Sequence, residues 1–477
     1  MLNGFTKYIH LFETENRTVL YNALTTKCFF LTDIQKEKIN EGVLPANIFS
    51  EDEYSLLSSK GFFEDENAVV VDTVIKNNNQ LEPDVFAMYL ILTESCNMNC
   101  KYCSQSSSFR KREKLGNMSL ETIESKINMF YKTPTDRKRT IVLYGGEPTM
   151  NKNGLRFAIE CVRTKMQDWD TEIIIFTNGL LLDDALIDFL AENKISVILS
   201  LDGPKDINDM FRLKGENGTF DCVEKTISAF NEKGIKFGIS ATIASHNIEQ
   251  LEDVVRFFVT QYHPFSIGLN PLHYPPEDRK YLGVDSKRMA EKMTDAYEVA
   301  AKDGIYIEQI MRRVRPFVLA QPRLKDCPSC GGMIRVLPDG SFGPCGHFME
   351  EKKEQENGDY DIHTSETMIK WNQRVSCNIK GCDTCEALAL CGGGCPYNSH
   401  INGGDIFSPN DQRSCLQAKE FLKYFLHKLS LMVPANTFYE ITQAEKQSLL
   451  VDIDLDRYIP LERYSRYGEF TLDKRYL

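Results

Sequence analysis

Short apolar runs near the start of the chain, over 8–12, 18–21 and 28–31, read as β-strands. Thr32 and Asp33 are placed to cap a helix beginning at Ile34. Ser50, with Glu53 three residues on, has the capping-box pattern for a second helix that carries Leu56 and Leu57 and stops before Gly61. A short strand is expected at 69–71, and 77–80 reads as a linker. From residue 85 the pattern changes. Apolar runs at 88–92, 140–144, 172–176, 196–201, 237–242 and 265–269 alternate with amphipathic stretches at about 119–132, 154–167, 183–193, 220–233, 248–261 and 286–302. Strand–helix alternation predicts an α/β fold of parallel strands joined by right-handed crossovers. In parallel barrels chemistry gathers at the carboxyl ends of the strands, and the conspicuous side chains here fall at those ends. An apolar helix is expected at 421–431, covering the segment before it. Residues 433–477 are rich in tyrosine and carry no chemical motif.

Composition narrows the picture. The hydrophobic fraction of 42% over 477 residues is enough for a large core, and the length corresponds to about three domains. A formal net charge of −12 argues against a broad nucleic-acid or anionic-membrane surface. No apolar run is long enough to span a bilayer, and residues 1–10 lack a positive segment followed by an apolar one. The expectation is a cytoplasmic protein with no nucleic-acid and no membrane partner. Fifteen cysteines, clustered at short range and without a secretory signal, then read as metal ligands rather than disulfides.

Three of them, Cys96, Cys100 and Cys103, form a C-x3-C-x2-C loop directly after the 88–92 run. Clustered thiolates suit zinc or an iron–sulfur cluster. Three are one short of a closed zinc site and one short of an ordinary [4Fe–4S] set. The next strand ends in Gly145-Gly146-Glu147, where glycines permit close backbone approach to a ligand and a buried carboxylate can accept from an ammonium group. Thr177 and Asn178 end the third strand, and Ser200 and Asp202 the fourth. Thr242, Asn247 and Asn270 also lie near strand ends. Cys28, Cys161 and Cys222 read as core thiols. The basic run 312–316 and the acidic tract 358–361 read as solvated faces. A second cysteine field runs through Cys327, Cys330, Cys345 and Cys377 to Cys382, Cys385, Cys391, Cys395 and Cys415.

The triad and the Gly-Gly-Glu loop resemble the signatures of the radical S-adenosylmethionine (SAM) superfamily. The resemblance implies a partial (β/α)6 barrel over 85–310, with a [4Fe–4S] cluster on Cys96, Cys100 and Cys103 whose open iron binds SAM. It places Gly145, Gly146 and Glu147 on the methionyl amine and Ser200 and Arg212 on the carboxylate. Thr177, Asn178 and Asp202 are further contacts at the barrel mouth. The array C-x2-C-x5-C-x3-C, preceded by Cys330-x9-Gly340-x4-Cys345 and followed by Cys415, resembles the SPASM domain, over 311–420, with a C-terminal extension at 421–477. Carried over, a first auxiliary [4Fe–4S] cluster takes Cys330, Cys345 and Cys395. The usual position of its fourth ligand is Leu324 here; Cys327 is the nearest substitute, Cys377 the next, and an open iron the remaining option. A second auxiliary cluster takes Cys382, Cys385, Cys391 and Cys415, making three clusters in all.

Residues 1–80 resemble the PqqD-like RiPP recognition element, a winged-helix module that captures a leader peptide as an added strand. Together these resemblances imply a radical SAM/SPASM oxidoreductase that cleaves SAM to a 5′-deoxyadenosyl radical and installs cysteine thioether crosslinks in a ribosomally made precursor peptide, drawing electrons from a flavodoxin- or ferredoxin-type donor. The alternatives are a formylglycine-forming sulfatase maturase, a carbon–carbon crosslinking maturase, and a non-enzymatic iron–sulfur or zinc protein. No acid/base residue stands out.

Overall fold

The computed structural model describes residues 2–15, 17–64, 82–103, 116–272, 277–319, 322–346, 362, 365–409, 411–432, 434 and 437–439. The strand expected at 69–71, the linker at 77–80 and the acidic tract at 358–361 lie outside those residues, as do 440–477.

The chain opens with an antiparallel meander, β1 (Ile9–Glu13), β2 (Thr18–Asn22) and β3 (Cys28–Phe30). The helices Asp33–Asn40 and Glu51–Ser59 follow, each closed by a complete capping box, Thr32 with Gln35 and Ser50 with Glu53. β2 is buried along its whole length because both faces of the sheet are covered. Leu20 and Phe29 pack with Phe5, Leu57 and Phe63 on the helix side. Val19, Tyr21 and Phe30 point the other way into the main core. The two-residue period thus serves two cores at once.

The main sheet contains all six expected strands: β4 (Ala87–Thr93), β5 (Thr140–Gly145), β6 (Glu172–Thr177), β7 (Ser196–Ser200), β10 (Phe237–Ile243) and β11 (Ser266–Pro271). A small hairpin, β8 (Leu213–Lys214) with β9 (Asn217–Gly218), lies between β7 and β10. The sheet has nine strands rather than six, in the order β12-β11-β10-β7-β6-β5-β4-β13-β14. β12 (Tyr306–Ile307) extends it in parallel beside β11. β13 (Met333–Val336) runs parallel to β4, and β14 (Phe342–Gly343) returns antiparallel. Strands from the cysteine-rich segment therefore continue the sheet that carries the triad.

Helices Leu120–Lys132, Lys152–Glu160, Asp184–Glu192, Phe220–Glu232, Leu251–Tyr262 and Ser286–Lys302 cover the sheet at the expected places. The second continues as a π-helical turn, Cys161–Lys165. The helix expected at 421–431 is longer, Gln412–Met432; it packs along Ser286–Lys302 and also touches Glu308–Leu319 and Leu388–Cys391. β15 (Thr437–Tyr439), unanticipated in the tyrosine-rich tail, pairs with β3. Among the described residues no helix is long and apolar enough to cross a membrane.

Candidate active site

Parallel strands bring Thr93, Gly145, Thr177, Ser200 and Thr242 to one edge of the sheet. The Cys96–Cys103 loop leaves β4 there, just after a register irregularity between Ile91 and Thr93. Its start is bonded on one side to the turn that follows β5: Gly146 N donates to Thr93 O at 2.8 Å and Glu147 N to Ser95 O at 2.9 Å. A Cβ on Gly145 would stand 2.2 Å from Thr93 O, and one on Gly146 2.3 Å from Ser95 O. These glycines thus admit the backbone of the cysteine loop. The other side of the loop is tied to 211–215. Asn99 N donates to Leu213 O at 2.8 Å and Lys101 N to Phe211 O at 3.0 Å, while Gly215 N donates to the Asn99 side chain at 2.7 Å. The cysteines sit on a backbone held from two directions.

Glu147 is buried under this loop. Its Oε1 accepts from Thr149 N (3.1 Å), Thr149 Oγ1 (2.6 Å) and Thr177 Oγ1 (2.7 Å), and Oε2 from Asn178 N (2.7 Å). Burial nonetheless pushes its carboxyl above the ordinary carboxylate value, against those four bonds. Asn178 reaches on to Asn97 Oδ1 at 2.8 Å, inside the cysteine loop. Thr177 and Asn178 therefore join Glu147 to the triad.

A second buried group lies beneath Arg212. Asp202 is fully buried and accepts from Tyr102 Oη at 2.6 Å and Thr242 N at 2.9 Å. Arg212 Nη2 is 2.9 Å from its Oδ1 and His246 Nε2 3.4 Å from its Oδ2. Burial opposes the charge, but Arg212, His246 and Tyr102 outweigh it and hold the carboxyl at about 2. Asp202 is sealed from the strand-end surface, and its place is that of an anchor for Arg212 and Tyr102. Tyr102 and His246 escaped the sequence reading. Tyr102 sits inside the triad spacing, which offered a signal; His246 becomes noticeable only where its ring stacks on Phe211 at 4.2 Å. Asn247 bonds Asp202 O and Thr242 O and shapes the loop, and Asn270 bonds Ser240 and Gln309.

The residues fit an iron–sulfur cluster with SAM. Three half-buried thiols share one loop, and Cys96 and Cys103 are both close enough to raise the Cys100 thiol, which burial first pushes up, to about 12. Two buried donors beside them, Asn97 Nδ2 and Arg212 Nε, have no protein acceptor, as a ligand rich in acceptors would require. Ser200 is half-buried at the end of β7. Among the described residues no three His, Cys, Asp or Glu side chains converge on a single metal ion; a cuboidal cluster instead holds each thiolate on a separate iron.

The second cysteine field separates into two sets. Cys391 and Cys415 interact strongly, and both lie within electrostatic reach of Cys382; Cys385 lies within reach of Cys391. Cys395 responds to Cys327 and Cys345, and Cys330 to Cys327. Cys377 stands apart, beside Lys7 and Asp383, with its thiol pushed by burial to about 11. Between Cys391 and Cys395, Gly392, Gly393 and Gly394 all take left-handed φ, +66°, +84° and +67°. Arg374, fully buried, donates to Gly394 O at 3.0 Å and Gly393 O at 2.6 Å and pins this turn.

Two expectations are corrected. Cys222 is exposed on its helix, whereas Cys28 and Cys161 are core thiols as expected. The basic run is not a solvated face: Arg313 is 1% exposed and, with Arg312 and Arg323, surrounds the buried Asp326. A charge pattern in the sequence does not reveal a carboxylate supplied by a later loop.

Residues 90–258 match the Radical SAM superfamily. The cysteine-type anaerobic sulfatase-maturating enzyme of Clostridium novyi (strain NT) is 24% identical over 363 residues, covering 71% of this chain and 94% of that one. In fold, the chain is similar to anSMEcpe with bound AdoMet (TM-score 0.61, 20% identity, covering 74% and 96% of the two chains). It is similar also to Streptococcus suis SuiB bound to precursor peptide SuiA (TM-score 0.53, 17% identity, covering 87% and 100%). Residues 90–258 are therefore a radical SAM domain, binding SAM and an iron–sulfur cluster, in an enzyme related to the cysteine-type anaerobic sulfatase-maturating enzymes, while the likeness to SuiB is one of fold.

Proposed function

We propose that this enzyme installs cysteine thioether crosslinks in a ribosomally made precursor peptide. The observation that supports the reading is the docking of the leading domain against the segment that carries Cys382, Cys385 and Cys391, cysteines within electrostatic reach of one another, Cys382 and Cys391 also of Cys415. Lys7 pairs with Asp383 at 3.2 Å and Ala389 N donates to Ala23 O at 3.1 Å. Cys327, Cys330, Cys345 and Cys395 would hold one auxiliary [4Fe–4S] cluster of a SPASM domain, and Cys382, Cys385, Cys391 and Cys415 the other. Cys327 rather than Cys377 is the fourth ligand of the first. Residues 1–80 would act as the recognition element, taking the leader as a strand at an edge of the sheet; among the described residues those edges are β1 and β15.

At the strand ends, Cys96, Cys100 and Cys103 would hold the third cluster. Gly145–Glu147, Thr177, Asn178, Ser200 and Arg212 would hold SAM. When bound and reduced, this pair supplies a 5′-deoxyadenosyl radical that removes hydrogen from an unactivated carbon. The chain's own residues bind and orient. Asp202 fixes the Arg212 guanidinium, whose Nε is left for the SAM carboxylate. Tyr102, Phe211, Leu272 and Leu282 pack about Cys100 and exclude water. Electrons would come from a flavodoxin- or ferredoxin-type donor.

Joining a cysteine sulfur to a carbon removes two hydrogen atoms from the peptide: one would go to the 5′-deoxyadenosyl radical, and the other would leave as the thiol proton and an electron taken up by an oxidised auxiliary cluster. The test is mass spectrometry of a cysteine-bearing precursor co-expressed with the enzyme: loss of two hydrogens and one thiol per crosslink is expected, and an unchanged mass with all thiols free overturns the reading. The similarity to the Clostridium novyi enzyme supports a second reading, formylglycine formation. Conversion of a sulfatase-derived cysteine peptide with no thioether in the precursor would favour it.

A further inference from the structure

Helix Glu308–Leu319 and the loop after it gather an excess of buried positive charge. Asp326 is 4% exposed. Its Oδ1 lies 3.1 Å from Arg323 Nη2, 3.7 Å from Arg313 Nη1 and 3.7 Å from Arg312 Nη2. Three guanidinium groups thus face one carboxylate. Arg313 is buried, and its Nε and Nη1 have no hydrogen-bond acceptor; the Nε atoms of Arg312 and Arg323 also lack one. Buried cations without matching anions are strongly disfavoured, so this cluster needs a further counter-charge. Glu308 is near Arg312 and Arg323, and Asp411 is near Cys391 and Cys395; neither closes on Arg313.

The position of Asp326 indicates what does. It directly precedes Cys327 in the chain, and its N donates to Gly392 O, beside Cys391, at 2.9 Å. A Cβ on Gly392 would stand 2.5 Å from that nitrogen. Through Asp326 the trio therefore sits between the Cys327 and Cys391 segments, Arg312 within electrostatic reach of Cys327 and Arg313 of Cys391. A cluster held by four thiolates is anionic, and its reduction potential follows nearby charge.

Resting on the auxiliary-cluster reading above, we propose that Arg312 and Arg313 supply counter-charge to the two auxiliary clusters and hold their reduction potentials up, Arg312 acting on the Cys327 set and Arg313 on the Cys391 set. These are positioning residues, acting through the clusters.

The test is an EPR-monitored redox titration of the full-length, anaerobically reconstituted enzyme, with the triad signal identified by its change on adding SAM. Arg313→Met should lower the midpoint of the auxiliary signal that Cys415→Ser abolishes, with iron and sulfide content unchanged, while Arg313→Lys stays near wild type. Unchanged midpoints in both Arg313→Met and Arg312→Met overturn the proposal, as does a fall in Arg313→Lys equal to that in Arg313→Met, which would mean packing rather than charge. If Arg313→Met does not load, the more exposed Arg312→Met decides, through the midpoint of the Cys327-set signal. Wild-type enzyme with no auxiliary signals would sink the auxiliary-cluster reading itself, and this inference with it.

Discussion

Asp202 links three parts of the site through one carboxylate: Tyr102 from the cysteine loop, Arg212 from the segment clamped to it, and Thr242 N at the end of β10. Removing its charge leaves Arg212 buried without a partner. Asp202→Asn is expected to cost about 3–5 kcal/mol of stability, the usual consequence of breaking a buried pair from one side. The sign of its pH dependence follows from the carboxyl lying at about 2 in the folded chain against an ordinary 3.8. The stabilisation from the charged form is fully present above about pH 4 and is lost as pH falls through about 2. Denaturant unfolding of wild type and Asp202→Asn should therefore show a gap that narrows on acidification across that window. A gap independent of pH between 4 and 2 would mean that the carboxylate charge is not what supports Arg212.

At the scale of elements, the turn Gly392–Gly394 makes the sharpest demand on sequence. Three consecutive left-handed residues suit glycine alone. Gly392→Ala carries a backbone cost of about 1–2 kcal/mol and drives a Cβ against Asp326 N, so iron should be lost from the auxiliary sets as well as stability. Gly403→Ala is the control: its φ is +88° but nothing lies within 4 Å of the added Cβ. Equal iron content in the two variants would show that the close approach to Asp326 does not matter. Elements of this kind divide by how local their causes are. The helix cap at Thr32, the capping box at Ser50 and the six strands of the parallel sheet were legible because a short window of sequence contains their reasons: a capping side chain next to the helix start, a side chain three residues from its partner, or an apolar run bounded by helices; the Gln35 half of the Thr32 box was not read. β13, β14 and β15 were not. Met333–Val336 is a strand because β4 offers it an edge, and Thr437–Tyr439 because β3 does. The site divides in the same way. Cysteine spacing marked the triad and the second field, and in the fold Cys327 lies within electrostatic reach of Cys330 and Cys395. The partners of Arg312, Arg313 and Asp202 come from distant segments and left no local trace.

Across the whole molecule, the leading domain and the cysteine-rich segment are joined by contacts that neither makes with itself. The face of the β1–β3 sheet bearing Val19, Tyr21 and Phe30 merges with the main core. Thr26 Oγ1 donates to Pro316 O at 3.3 Å, Ala389 N to Ala23 O, and Lys7 pairs with Asp383, between Cys382 and Cys385. Tyr21 lies within electrostatic reach of Cys385. If residues 1–80 take the leader as proposed, this interface would hold the peptide at a fixed distance from the cysteine-rich segment. The architecture therefore predicts that deleting residues 1–64 uncovers the Cys382–Cys391 segment and costs the set that includes Cys415 its cluster, about four irons per chain, while the triad, held by Gly146, Glu147 and Leu213, keeps its own. Iron and sulfide analysis of the anaerobically reconstituted deletion checks the count. The SAM-dependent change in the triad's EPR signal checks that the rest of the molecule is intact. Full iron content in a deletion that retains that signal would show the leading domain to be an independent module, and would remove the physical reason for expecting peptide capture and cluster chemistry to be coupled in this chain.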